Sequence, residues 1–166
     1  MAVGELISAA VGVLILIIVA YVLVGSTLST AVMVANAQKD LTLQDEARIR
    51  TSIAITSREI YENGGENGGI IDFNVTNSGT EVIADFIHMD ILSSNGSYDL
   101  QYYLYDPTRS GAPGTWSVNG FDPVTSSYAG ELDPGQTMLC NATYTGNPPT
   151  WFQITTGNGV YASAFI

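Results

Sequence analysis

Val11-Gly12-Val13-Leu14-Ile15-Leu16-Ile17-Ile18-Val19-Ala20-Tyr21-Val22-Leu23-Val24 is the densest apolar run in the chain and lies inside a longer one. From Leu6 to Gln38, thirty-three residues, no Asp, Glu, Lys or Arg occurs. A bilayer-spanning helix needs only about 20 such residues, and this stretch as a helix is roughly 50 Å long. It exceeds what a membrane requires. Its second half, Ser26-Thr27-Leu28-Ser29-Thr30-Ala31, turns small and hydroxylated, which suits close packing of helix on helix. Gly12 and Gly25 fall in the helix interior, where each costs up to ~1 kcal/mol against alanine. They mark the places where neighbouring helices can approach.

Upstream, Met1-Ala2-Val3-Gly4-Glu5 carries no base, and the apolar run is too long for the core of a secretory signal. Met1 reads either as the initiator of an uncleaved anchor or as the first residue of a mature form whose short leader has gone. Glu5 is the single charge near this end, and the helix dipole favours an acid there. It stands at a water interface, or, buried between helices, pairs with the α-amino group of a neighbouring chain, since an unpaired charge in an apolar medium is costly. Downstream, Lys39-Asp40 closes the uncharged run. Leu43, Ala47 and Arg50 keep helical spacing among charges of alternating sign, which marks a solvated helix face. Near Thr51 the period changes. The spacing predicts a helix over 1–50 and a separate head over 51–166.

The head reads as short strands divided by turns. Ile53, Ile55 and Ile60 open it, and Asn63 to Gly69 is a glycine-rich hairpin loop. Ile71, Phe73 and Val75 share one face of the next strand, and Asn77-Ser78-Gly79 turns the chain. A strand from Val82 to Leu92 is expected, with Ile83, Ile87, Met89 and Ile91 on one face. Leu100 to Tyr105 follows, then a proline–glycine loop from Asp106 to Gly114. Trp116 to Val118 and Tyr128 to Glu131 are weaker candidates, and Asp133-Pro134-Gly135 fits a tight turn. Thr137 to Thr145, Trp151 to Thr155 and Val160 to Ile166 complete the set. Seven or eight such strands without helical periodicity predict an α+β chain: a long hydrophobic N-terminal helix followed by an all-β, immunoglobulin-like sandwich.

Charge narrows the functions. The formal net charge is −11 over 166 residues. Residues 1–60 are near neutral, whereas 61–166 carry eleven acids and one base, Arg109. A head this acidic repels phosphate backbones, so nucleic acid is not an expected partner, and it stays soluble at high ionic strength. The chemistry-bearing residues are sparse. His88 is the one histidine, placed by strand alternation on a face with Asp90 and away from Asp85, and two ligands do not make a zinc site. No nucleophile elbow or phosphate loop is present, and Cys140 reads as a small apolar core residue. No enzymatic activity, cofactor or metal is expected. Three sequons stand out: Asn74-Val75-Thr76, Asn95-Gly96-Ser97 and Asn141-Ala142-Thr143. On an exported head they are candidate glycosylation sites at Asn74, Asn95 and Asn141.

A charge-poor N-terminal helix with Glu at position 5, joined directly to a β-sandwich, resembles the type IV pilin superfamily. It is similar, more narrowly, to archaeal archaellum proteins: archaellins and the relatives that link the filament to the cell envelope. The likeness extends to Ile71-Asp72-Phe73-Asn74-Val75-Thr76-Asn77-Ser78-Gly79-Thr80, to Glu131-Leu132-Asp133-Pro134-Gly135-Gln136 and to Thr156-Gly157-Asn158-Gly159-Val160-Tyr161-Ala162-Ser163-Ala164. The basic residue and glycine that precede the processing site in such precursors are absent. The resemblance implies a filament subunit serving motility, membrane-inserted before assembly and polymerising with itself through the helix into an extracellular filament on the cell surface. Glu5, Gly12 and Gly25 are then the assembly residues. The same resemblance admits an envelope anchor of the same machine, with cell-envelope or S-layer proteins as partners, or an adhesive archaeal pilin.

Overall fold

A computed structural model describes residues 2–62, 68–96, 99–124 and 130–166. It divides into two compact units, Met1–Gln44 and Asp45–Ile166. The helix α1 runs unbroken over Ala2–Arg50. No proline falls within it, and its β-branched density is compatible with a helix because an apolar surrounding forces the backbone to satisfy its own hydrogen bonds. The side-chain hydroxyls do the same. Ser26 donates to the Leu23 carbonyl at 2.9 Å, Thr30 to Ser26 at 2.9 Å and Thr42 to Gln38 at 2.8 Å. Thr27 reaches both Leu23 and Val24.

The second unit holds eight strands: β1 (Ile53–Glu62), β2 (Gly69–Asn77), β3 (Asp90–Ser94), β4 (Leu100–Tyr105), β5 (Thr115–Asp122), β6 (Thr137–Tyr144), β7 (Trp151–Thr155) and β8 (Tyr161–Phe165). They form one hydrogen-bonded series, β1-β2-β6-β5-β4-β3-β7-β8. Every ladder is antiparallel except the short parallel step Leu104↔Thr115 and Tyr105↔Trp116 between β4 and β5. The series folds back on itself at that step. Phe73 of β2 lies 5.2 Å, ring to ring, from Phe152 of β7, although four strands separate them in the series. The result is the expected two-layer head, with β1, β2, β6 and β5 facing β4, β3, β7 and β8.

Period-two alternation fills the space between the layers. In β2, Ile71, Phe73 and Val75 are buried, as their spacing predicts. Beside them in the same layer lie Met138, Cys140, Ala142 and Tyr144 of β6, and Trp116, Tyr103, Ile91 and Ile154 complete the centre. Burial pushes the Cys140 thiol well above its ordinary value, so it packs as an apolar group. The β1–β2 hairpin is closed by the pair Glu62↔Gly69, and the loop between them lies outside the described residues. Of the Tyr128–Glu131 strand candidate, Tyr128 and Ala129 also lie outside the described residues, and Gly130 and Glu131 are not in a strand.

The segment from Val82 to Leu92 departs from its expected strand. Ile83 makes a single bridge to Leu132, a turn follows, and pairing resumes only at Asp90. Phe86 takes the core position there, stacked on Phe121 and edge-on to Tyr105, while Ile87 is 75% exposed. The turn, closed by Met89 N–H donating to the Phe86 carbonyl at 3.2 Å, breaks the period-two register. It also reverses the placement of His88, whose Nδ1 lies 2.7 Å from Asp85 Oδ2 across the turn.

Candidate functional site

Two features carry functional information, the bare surface of α1 and the way its last turn enters the head. From Val3 to Glu46 every helix residue is exposed. Consecutive large side chains from Leu14 to Val19 cover all sides of the helix, the pattern of a helix meant to be surrounded by apolar material. By length and composition it can cross a membrane. Because the hydroxyls of Ser26, Thr27 and Thr30 are already hydrogen-bonded to the helix's own carbonyls, burying them leaves those three groups paired. Cβ atoms built on Gly12 or Gly25 meet nothing within 4 Å. Nothing in the chain itself therefore requires glycine at either place. Glu5 is exposed in the first turn, and Ser8 Oγ donates to its main-chain carbonyl at 2.9 Å. The side chain of Met1 lies outside the described residues.

At its other end the helix is captured by the head. The Arg50 carbonyl accepts from Thr80 N–H at 2.8 Å and from Glu81 N–H at 3.3 Å. The Ser52 carbonyl accepts from Ser78 and Gly79 at 2.9 and 3.1 Å. Arg50 reaches Glu81 and Glu46, each at 3.5 Å. Thr51 Oγ1 donates to the Ala47 carbonyl at 2.8 Å and accepts from Asn158 Nδ2 at 2.7 Å. Gly79 is obligatory because a Cβ there sits 2.4 Å from the Arg50 oxygen and 2.5 Å from the Ser52 nitrogen.

Behind this capture lies a buried network. Asn77, with no exposed surface, accepts from Gly79 N–H through Oδ1 at 3.0 Å. Its Nδ2 donates to the carbonyls of Glu81 (2.7 Å) and Leu132 (3.0 Å). Gly135 N–H donates to the Asn77 carbonyl, and Asn77 N–H to that of Gln136. Buried Gln136 spans from Asp133 N–H to the Pro123 carbonyl. Thus Asn77 to Thr80, Asp133 to Gln136 and Thr156 to Asn158, three separated stretches, converge on the helix end.

The sequons divide by place. Asn74 and Asn141 are half-buried on the outer face of β2 and β6, and Asn141 Oδ1 accepts from Ser117 Oγ at 2.6 Å. Asp72 pairs across the strands with Asn141 and Glu59, and burial followed by the Glu59 charge raises its carboxyl above the usual value. Asn95 follows β3, and Ser97 of its sequon lies outside the described residues. Sequence reasoning passed over Asp106. Its carboxylate accepts from the amide and hydroxyl of both Ser110 and Thr108, at 2.5–2.8 Å, and these bonds hold it well below the ordinary carboxylate range. They shape the loop that makes the β4–β5 parallel step. The signal was the Asp-x-Thr-x-Ser spacing. No group of three or more metal-binding side chains converges among the described residues.

No protein-family model and no curated protein matches the chain. Among solved structures it is similar to the archaellum periplasmic stator protein FlaG from Sulfolobus acidocaldarius, with 18% identity, a TM-score of 0.47, and coverage of 70% of this chain and 99% of that one. It is also similar to the stator complex of FlaF and FlaG from the same organism, with 18% identity, a TM-score of 0.45, and coverage of 69% and 87%.

Proposed function

We propose that the chain is a structural, non-catalytic component of an archaellum, held in the membrane by α1 and standing in the cell envelope as an anchor. The observation that carries this is the helix: apolar on every side, uncovered along its length, and tied at its last turn into the head. Such a helix needs an apolar surrounding that the chain does not supply. The sequence motifs that resemble archaellum proteins are the ones that build this tie. Their convergence gives the resemblance a physical content: they fasten the last turn of the helix to the strands. Eleven acids against one base in residues 61–166 favour an anchor over a sheath-forming subunit, because packing heads on all sides brings like charges together.

The filament reading keeps one observation in its favour. The helix is longer than a bilayer needs, and its open glycines at 12 and 25 and self-satisfied hydroxyls suit a helical bundle. In that reading Glu5 pairs with a neighbour's terminus. In either reading an exported head offers Asn74, Asn95 and Asn141 for glycan. Shearing surface filaments from cells and following the protein by immunoblot tests the choice. It is expected to stay with the membrane and to purify in detergent as dispersed particles by electron microscopy. Recovery in continuous filaments of uniform diameter overturns the anchor.

A further inference from the structure

On the strand pair β7–β8 the outward positions alternate between aromatic rings and uncharged polar groups. Trp151 and Phe165 are register partners, Gln153 lies beside Ser163, and Thr155 beside Tyr161. Phe152 and Ile154, between them on β7, are buried, so these six side chains stand on the outer surface. Phe165 is 74% exposed and Tyr161 63%, while Trp151 is half-buried. Gln153 Nε2 donates to Thr155 Oγ1 at 3.1 Å, which fixes the amide. Its Oε1 and the Ser163 hydroxyl have no hydrogen-bond partner among the described residues. Beyond β3 the same face ends on β4, where Leu100, Tyr102 and Leu104 point outward. Asp90 is the single charged residue on these four strands, and its Oδ1 accepts from Tyr102 OH at 2.5 Å.

We infer that the β7–β8 ribbon binds a short neutral oligosaccharide. A sugar presents C–H groups on the flat of its ring and hydroxyls around the rim. Aromatic rings take the first through dispersion and C–H contacts, and amides and hydroxyls pair with the second. The ribbon sets both in one line, with Trp151 and Phe165 at one end, Tyr161 at the other, and Gln153 and Ser163 between. Phe165 and Tyr161 are four residues apart on one strand, about 13 Å, which gives each end of a short chain of sugar rings its own platform. Size and polarity decide against other occupants. Four strands at about 4.8 Å and five residues at about 3.3 Å bound the whole face at roughly 300 Å², well under the ~800 Å² that a specific protein partner covers. A bilayer would bury Gln153 and Ser163 with polar groups unpaired. An acidic glycan is repelled by a head with eleven acids and one base in residues 61–166. The inference names what an envelope anchor holds, and to that extent rests on the anchor reading.

The test uses the full chain, purified in a detergent without a sugar headgroup and titrated with an array of neutral oligosaccharides, cellotetraose and mannotetraose among them. Intrinsic fluorescence reports on the site, because the chain has two tryptophans and Trp116 is buried. A saturable change at Trp151 with a Kd of about 1 mM or tighter is expected for at least one sugar. Tyr161→Ala and Phe165→Ala, at exposed positions, should each weaken it by about tenfold with the β signature in circular dichroism retained. Gln153→Ala should weaken it as well, and Ile70→Ala on the outer face of β2 should leave it unchanged. Binding to none of the sugars overturns the inference, as does binding indifferent to the three ribbon variants. Shielding of Trp151 from an aqueous quencher in a sugar-free nanodisc, the sign of a face lying on lipid, also overturns it. The two readings fail separately. A chain recovered in filaments that binds sugar overturns the anchor alone, and a dispersed membrane protein that binds none overturns the sugar site alone.

Discussion

Single residues here act mostly through the main chain. Gly79 is required by proximity: its neighbours at 2.4 and 2.5 Å are backbone atoms that cannot swing aside. Gly79→Val should cost about 1–3 kcal/mol by overpacking, seen as a lower urea midpoint of the full chain in micelles. The same change at Gly111 has open space but a φ of 68°, so strain alone opposes it. Asp106 offers a pH test. Its folded value is depressed by the hydroxyls and amides of Ser110 and Thr108 from an ordinary 3.8. A depressed carboxyl contributes stability that is complete above the unfolded value and is lost as pH falls toward the folded one. Acid unfolding monitored below about pH 4 should therefore be shallower in Asp106→Asn, which is already weaker at neutral pH. An unchanged acid limb removes Asp106 from that role. His88 was placed by alternation beside Asp90. The turn that instead gives it to Asp85 depends on Phe86 claiming the core, a preference that spacing alone does not reveal.

At the scale of elements, the helix is longer than its apolar part because its last turn belongs to the head. Residues 45–50 supply the Ala47 and Arg50 carbonyls that receive Thr51, Thr80 and Glu81. A fragment starting at residue 51 should accordingly be about 1–2 kcal/mol less stable than one starting at 45, by urea denaturation of the two soluble pieces. Equal midpoints would show that water replaces those carbonyls without loss. The middle of the helix makes the converse case. Gly25→Leu meets nothing in its own chain, so head stability and membrane insertion should not change. On the anchor reading motility should also be retained, within about twofold, because lipid accommodates the larger side chain. Loss of motility with normal insertion would return the glycine to helix packing and the chain to the filament. The two strands with the cleanest alternation, β2 and β6, are central and buried on one side. β4 and β8 alternate as well, but with apolar residues on both faces, which is how the outward stripe escaped a reading based on alternation.

For the whole molecule the governing quantity is charge. The head's self-repulsion falls as salt shortens the Debye length from about 30 Å at 0.01 M to about 8 Å at 0.15 M. The stability of the acidic head, read as the urea midpoint of the full chain in a non-ionic detergent, should thus rise over that range, and an unchanged midpoint would show that self-repulsion does not limit it. The order of residues determined much of this protein. Thirty-three uncharged positions admit only a helix in an apolar surrounding, because any other conformation leaves backbone groups unsatisfied there. Period-two burial from Ile71 to Val75 and from Met138 to Tyr144 fixed which face of those strands points inward. Tertiary structure alone decided the strand order, the fold-back at the β4–β5 step, and the meeting of Asn77, Gln136 and Asn158 around the helix end. Those contacts join residues far apart in the chain. Their energies depend on which surfaces face one another across the core, and no local pattern of hydrophobicity or turn chemistry encodes that pairing.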